Sequence, residues 1–107
     1  MTIPRQDGSG SRDPRNPHPE GKVPYLVDEG DHVRERGAII TWLTDRFPEG
    51  GLGRPVGHPQ RGALLSWLFY YQGVIEPVSL LHYLGIDHPA LQATFRDHHT
   101  MLARIGE

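Results

Sequence analysis

The pattern of apolar and polar residues predicts a β-hairpin in the first third of the chain. The stretch "VPYLVD" at residues 23–28 has strand composition, "EGD" supplies a turn that contains glycine, and "HVRE" at residues 32–35 can return antiparallel. Pro24 removes a backbone donor from this strand, so it must stand at a strand start, at an edge or in a special turn.

Two helices follow the hairpin in the pattern. Apolar residues recur at helical spacing over residues 38–47, and Pro48 stops that helix. A second stripe, over residues 64–81, marks a long helix that starts near Pro59. Pro77 lies inside it, and Gly73, four residues earlier, makes a local bend easier to accept. The pattern therefore predicts one kinked helix.

A last helix is predicted from the cap at Asp87, with an apolar stripe over residues 91–105 that runs down to the C-terminus. Glycine and proline interrupt any period before residue 21, which leaves little to bury and predicts disorder there. The resulting organisation is a disordered segment at residues 1–20, a hairpin-and-helix segment at 21–49, a linker at 50–58 and a helical segment at 59–107.

Composition and charge indicate which kinds of partner the chain binds and in which cell compartment it lies. The 107 residues correspond to one small domain, and 11 Lys and Arg against 13 Asp and Glu leave a formal charge of −2 with no basic footprint. Neither nucleic acid nor an anionic membrane surface is favoured as a partner. The apolar runs are too short to cross a bilayer, and cysteine is absent, which fits a cytoplasmic protein.

Seven histidines raise the alternative of a metal site, and four of them, His82, His88, His98 and His99, lie in the last third of the chain. Adjacent residues of a helix point to different sides, and no HExxH-type spacing occurs. A metal site is therefore not predicted.

The order of hairpin, amphipathic helix, Gly/Pro linker and long bent helix resembles the glutathione S-transferase superfamily. The segment "NPHPEGKVPYLVDEGDHVRERGAIITWLTDRFPEGGL" is similar to the second half of that family's thioredoxin-like domain, and the likeness continues through "WLFYYQGVIEP" to about Leu81. The resemblance implies an α+β, mainly helical fold. Its parts are a partial thioredoxin-like hairpin and helix, followed by two long helices of an incomplete glutathione-transferase helical domain.

The resemblance also implies a glutathione site at one end of the hairpin. In the family the proline of the "VP" pair is cis and the residue before it offers its main chain to the cysteinyl part of glutathione, which assigns these roles to Pro24 and Val23. Glu35 matches the acid that holds the γ-glutamyl amine, whereas Arg36 replaces the family's serine. Lys22 matches a position that reaches the glycyl carboxylate in some members. The alternatives are a trans proline that merely opens a strand, and solvated charges at residues 22, 35 and 36.

The resemblance implies that the chain conjugates glutathione to a small electrophile. Whether the chain is itself an enzyme depends on the family's catalytic group. The family's catalytic Tyr, Ser or Cys follows a first strand, and Ser9 and Ser11 in "GSGSRD" lack that strand. We therefore expect a truncated transferase-like chain that is weakly active or inactive; the alternative is a non-catalytic interaction module or remnant. Its hairpin would have one unpaired edge, so a homo-oligomer or another polypeptide is expected to complete the fold.

Overall fold

The computed structural model describes residues 13–107, which fall into two compact units that divide between Gly53 and Arg54. That boundary lies within the segment 50–58. Of the segment predicted to be disordered, residues 1–12 lie outside the described residues. Residues 13–21 form two tight turns, closed by hydrogen bonds from the Asn16 N–H to the Asp13 carbonyl and from the Gly21 N–H to the His18 carbonyl.

The first unit contains the predicted antiparallel hairpin, which is confirmed. Strand β1 is Tyr25–Asp28 and strand β2 is Asp31–Arg34, with Tyr25 opposite Arg34 and Asp28 opposite Asp31. The two linking residues, Glu29 and Gly30, both have positive φ, 49° and 87°. A two-residue turn of this kind matches the right-handed twist of the strands, which is why glycine suits its second position.

Helix α1, Arg36–Arg46, follows the hairpin directly, and a 3₁₀ turn at Pro48–Gly50 ends it where the sequence predicts. Its most buried residue is Gly37, with the half-buried Thr41 and Thr44 on the same side. Part of the apolar stripe over residues 38–47 is solvent-exposed, including Leu43 and Phe47. The stripe therefore has only part of the packing that its spacing predicts.

The long helix of the second unit runs without a break from residue 61 to residue 83, as predicted. It consists of α2, Arg61–Tyr70, a π-helical turn, Tyr71–Ile75, and α3, Glu76–Tyr83. The Glu76 N–H donates to the Tyr71 carbonyl, five residues back. Pro77 has no N–H to offer to the next acceptor, so the irregular turn lies where the proline would disrupt an α-helical ladder.

The prediction of a second long helix is wrong. The chain forms two short helices instead, α4 at Pro89–Thr94 and α5 at His98–Ile105. Arg96 breaks the helix with a φ of 147°, and the Asp97 side chain then caps α5 by accepting a hydrogen bond from the Thr100 N–H at 2.8 Å. Helix α4 is capped by His88 rather than by Asp87, through the Ala90 N–H donating to the imidazole Nδ1.

The core of the second unit is small. Val74, Val78 and Met101 are its buried apolar residues, with Tyr70, Ile75 and Phe95 packed against them. Helices α3 and α5 pack against each other and supply Val78 and Met101, while the π-helical turn supplies Val74. Within residues 13–107, none of the helices has the length and apolar character that a membrane-spanning helix needs.

Candidate functional site

The five candidate residues lie at one end of the hairpin. Tyr25 and Arg34 form the last pair of the ladder at that end. Lys22, Val23 and Pro24 come immediately before Tyr25, while Glu35 and Arg36 come immediately after Arg34. Since paired strands lie about 5 Å apart, the fold brings the two groups of candidates together at the open end opposite the turn.

The main chain of Val23 is available at this end of the hairpin. Within residues 13–107 its N–H and C=O have no hydrogen-bond partner. The side chain is 45% exposed, and the Val23–Pro24 peptide bond is cis, as predicted. An unpaired peptide group next to a strand can accept and donate one hydrogen bond each to an extended ligand, as another strand would.

Glu35 occupies an unusual backbone position at the start of α1. Its φ and ψ are 72° and 129°, a combination that side chains disfavour, and its carboxylate makes no capping hydrogen bond. In the part of the chain that the structure describes, this carboxylate has no ion-pair partner either. Strained residues of this kind persist where the surrounding structure imposes them, and they concentrate at ligand sites.

Arg36 and Lys22 supply positive charge on either side of Glu35. Arg36 is the first residue of α1, where backbone N–H groups are directed out of the helix. Both side chains are exposed. The site therefore combines a peptide group that can bind a peptide, a carboxylate that can bind an ammonium group and two cations that can bind carboxylates.

The residues that hold Lys22 in place were missed by sequence reasoning. Asn16 and His18 are only 3% and 4% exposed, in the segment predicted to be disordered. The Asn16 side-chain amide donates to the Lys22 carbonyl at 3.0 Å, and its oxygen accepts from the His18 N–H at 2.9 Å. The Glu20 N–H donates to His18 Nδ1 at 3.0 Å. The signal was the Asn-Pro pair, because asparagine readily bonds to the backbone two residues ahead.

Aromatic rings connect the segment that contains Asn16 and His18 to the two strands. The Tyr25 ring meets His18 edge-on at 5.9 Å between ring centroids and His32 at 5.6 Å. The Tyr25 hydroxyl and His32 Nδ1 share a hydrogen bond of 2.5 Å. Tyr25 therefore links the segment before the candidate site to strand β2.

Asp28 joins the other end of the hairpin to helix α1. Its Oδ2 accepts from the Trp42 indole N–H at 2.7 Å and from Arg46 Nε at 3.1 Å, while Arg46 Nη2 pairs with Glu29 at 2.6 Å. These bonds fix the helix against the hairpin, and so they hold the start of α1 at the open end. Nothing in the local pattern marks Asp28, since its partners lie 14 and 18 residues away.

In the described part of the chain, no three His, Cys, Asp or Glu side chains are gathered as a metal ion would require.

Comparisons of the chain with protein-family models, with curated proteins and with solved structures found no match.

Proposed function

We propose that this chain is a glutathione S-transferase-like protein that binds glutathione at the open end of its hairpin. The observation that carries the proposal is that two groups without partners among residues 13–107, the Val23 peptide group and the Glu35 carboxylate, belong to residues at the same end of the hairpin. Glutathione offers a peptide backbone, one ammonium group and two carboxylates, which are the groups that such a site would bind.

Each candidate residue has a role in this proposal. The Val23 N–H and C=O bond the cysteinyl residue, and Glu35 pairs with the γ-glutamyl ammonium group. Arg36 binds the γ-glutamyl carboxylate in place of a serine hydroxyl, and Lys22 binds the glycyl carboxylate. The site would position the thiol for attack on a small electrophile, in which the sulfur displaces a leaving group such as chloride and the thiol proton passes to water.

Retention of the full chain on immobilised glutathione, followed by calorimetric titration with free glutathione, tests the proposal. Hydrogen bonds to a charged group contribute about 1.5–3 kcal/mol, so Glu35→Ala should weaken binding about tenfold or more. Glu49→Ala is the matched control, because Glu49 is an exposed glutamate of the same unit in the 3₁₀ turn. Equal binding by the two variants, or no retention of the unaltered chain, would contradict the proposal.

Glu35→Gly separates loss of the site from loss of folding. Glycine accepts positive φ, and relief of backbone strain contributes about 1–3 kcal/mol against an entropic cost of about 0.4–1 kcal/mol for glycine. The free energy of unfolding measured in urea should therefore be about 1 kcal/mol higher for Glu35→Gly than for Glu35→Ala. Glu35→Gly should still fail to bind glutathione, because it lacks the carboxylate. Recovery of binding in Glu35→Gly would show that the carboxylate is not a ligand.

A second candidate function is that of a non-catalytic interaction module, favoured by the exposed apolar side chains of α1. The two functions differ in chemistry. Adding the chain to glutathione and 1-chloro-2,4-dinitrobenzene should release chloride and form the coloured conjugate faster than the same mixture without the chain, if the chain is a transferase. No glutathione retention together with a rate equal to that of the chain-free mixture would favour the interaction module.

A further inference from the structure

A cavity of about 500 Å³ lies within the second unit, and none of the five candidate glutathione residues lines it. It is bounded by the end of α3, the loop at residues 84–88, helix α4 and the start of α5. Its apolar walls are Val78, Leu81, Ile86 and Leu91. This volume falls in the range of small-molecule sites, which are mostly apolar with a few polar groups that orient the ligand.

The polar lining includes two histidines in an unusual arrangement. The rings of His82 and His98 are parallel within 1° and their centroids are 3.7 Å apart. His82 is in the last turn of α3 and His98 is the first residue of α5. If both imidazoles are protonated, their charges repel at this distance, and an anion bound at their edge would offset that repulsion.

The other ionisable side chains at the cavity are Arg96, His99, Asp87 and Asp97. Both carboxylates have partners: Asp97 accepts from the Thr100 N–H and hydroxyl at 2.8 and 2.9 Å, and Asp87 accepts from the Gln92 amide at 2.6 Å.

The guanidinium of Arg96 differs from these carboxylates in its partners. One of its N–H groups donates to the Phe95 carbonyl at 2.7 Å. Over residues 13–107 no carboxylate pairs with Arg96. Among the described residues, the cavity therefore has one guanidinium that no acidic side chain pairs with, next to apolar walls.

We propose that this cavity binds a small organic carboxylate with an apolar body. The carboxylate lies between Arg96 and the edge of the His82–His98 pair, and the apolar part packs against Leu81, Ile86 and Leu91. Because the bound anion favours protonated imidazole, binding takes up a proton and tightens as the pH falls. The two aspartates keep their own partners and oppose binding less than free carboxylates would.

Phenylacetate and its neutral isostere phenylacetamide test this proposal on the full chain. Titration by calorimetry and by amide chemical shifts would be done at about pH 6 and at about pH 8. We expect phenylacetate to bind several-fold more tightly at the lower pH, and phenylacetamide to bind at least tenfold more weakly there. Equal binding of the two compounds, or no binding of phenylacetate, overturns the proposal.

Two variants localise the site. Arg96→Gln should weaken phenylacetate binding about tenfold or more. The control is Arg34→Gln, which changes an exposed arginine of strand β2 and should leave phenylacetate binding unchanged. His98→Phe keeps an aromatic ring in the stack and removes its proton, so the pH dependence should shrink; His58→Gln is the histidine control. An unchanged pH profile in His98→Phe overturns the role of the pair, even if Arg96→Gln proves to be unfolded.

Glutathione itself carries carboxylates, so the two sites must be told apart. Glu35→Ala should leave phenylacetate binding intact, and Arg96→Gln should leave retention on immobilised glutathione intact. Loss of both activities in both variants would overturn the assignment of two independent sites.

Discussion

At the residue scale, Asp97 shows how one carboxylate replaces a long helix by two short ones. The backbone N–H and hydroxyl of Thr100 both bond its oxygens, and they hold the pKa of Asp97 below its usual value. Such a cap satisfies N–H groups that the first turn of α5 would otherwise leave without partners. Arg96, with its φ of 147°, precedes it because the chain must change direction before the cap.

The lowered pKa of Asp97 makes the helicity of α5 sensitive to acid. A carboxyl group whose pKa is lower in the folded state stabilises that state above the unfolded pKa of about 3.9, and this contribution is lost as the pH falls through the lower folded value. We expect circular dichroism to show helix loss below about pH 4 in the unaltered chain.

Asp97→Asn supplies the control for this acid sensitivity. Asparagine caps helices about as well as aspartate but does not titrate, so its helix content should be less sensitive to acid. Asp13 also has a lowered pKa, because of its hydrogen bonds with Arg15, but it lies in a turn of the first unit. An equal acid loss in Asp97→Asn would show that another group is responsible.

At the element scale, local sequence signals predicted the elements whose determinants are local. The turn residues at 29 and 30 specify the hairpin, and Pro48 ends α1 because proline cannot continue the ladder. The contacts of Asp28 with Trp42 and the stacking of His82 on His98 depend on tertiary arrangement, which no local period carries. The candidate glutathione residues came from family resemblance, and the register of the hairpin then placed them at one end.

The π-helical turn gives a prediction for the long helix. A Cβ added at Gly73 would meet no atom within 4 Å, so the absence of a side chain there is not required for space. Gly73→Ala should therefore raise the free energy of unfolding by about 0.5–1 kcal/mol, because glycine in a helix costs about that much relative to alanine. Gly62→Ala in regular α2 also faces open space and serves as the reference.

Urea unfolding followed by circular dichroism would compare Gly73→Ala with Gly62→Ala. If Gly62→Ala stabilises the chain and Gly73→Ala destabilises it, the irregular turn needs the freedom of glycine rather than its small size. The role first predicted for Gly73, as a residue that makes the bend acceptable, would then hold for conformational reasons.

At the scale of the whole molecule, far more apolar side chains are exposed to solvent than are buried. Within residues 13–107 only Val74, Val78 and Met101 are buried apolar residues, whereas sixteen large apolar side chains are exposed. Single exposed apolar residues are normal, but Ile40 and Leu43 lie within one turn of each other on α1, followed by Phe47. A domain with so few buried groups gains little hydrophobic stabilisation against chain entropy.

We therefore expect the chain to self-associate or to need another polypeptide for a stable fold. The apparent mass by light scattering should rise with concentration, and the melting temperature should rise with it by mass action.

Ile40→Lys and Leu43→Lys, each made alone, should lower the association because each would bury a charge in the contact. Ala38→Lys is the matched control: it adds the same charge to α1, but Ala38 is well separated around the helix from residues 40 and 43 at 3.6 residues per turn. A sharp melt of a monomer that does not change with concentration would contradict this expectation, and so would equal effects of all three substitutions.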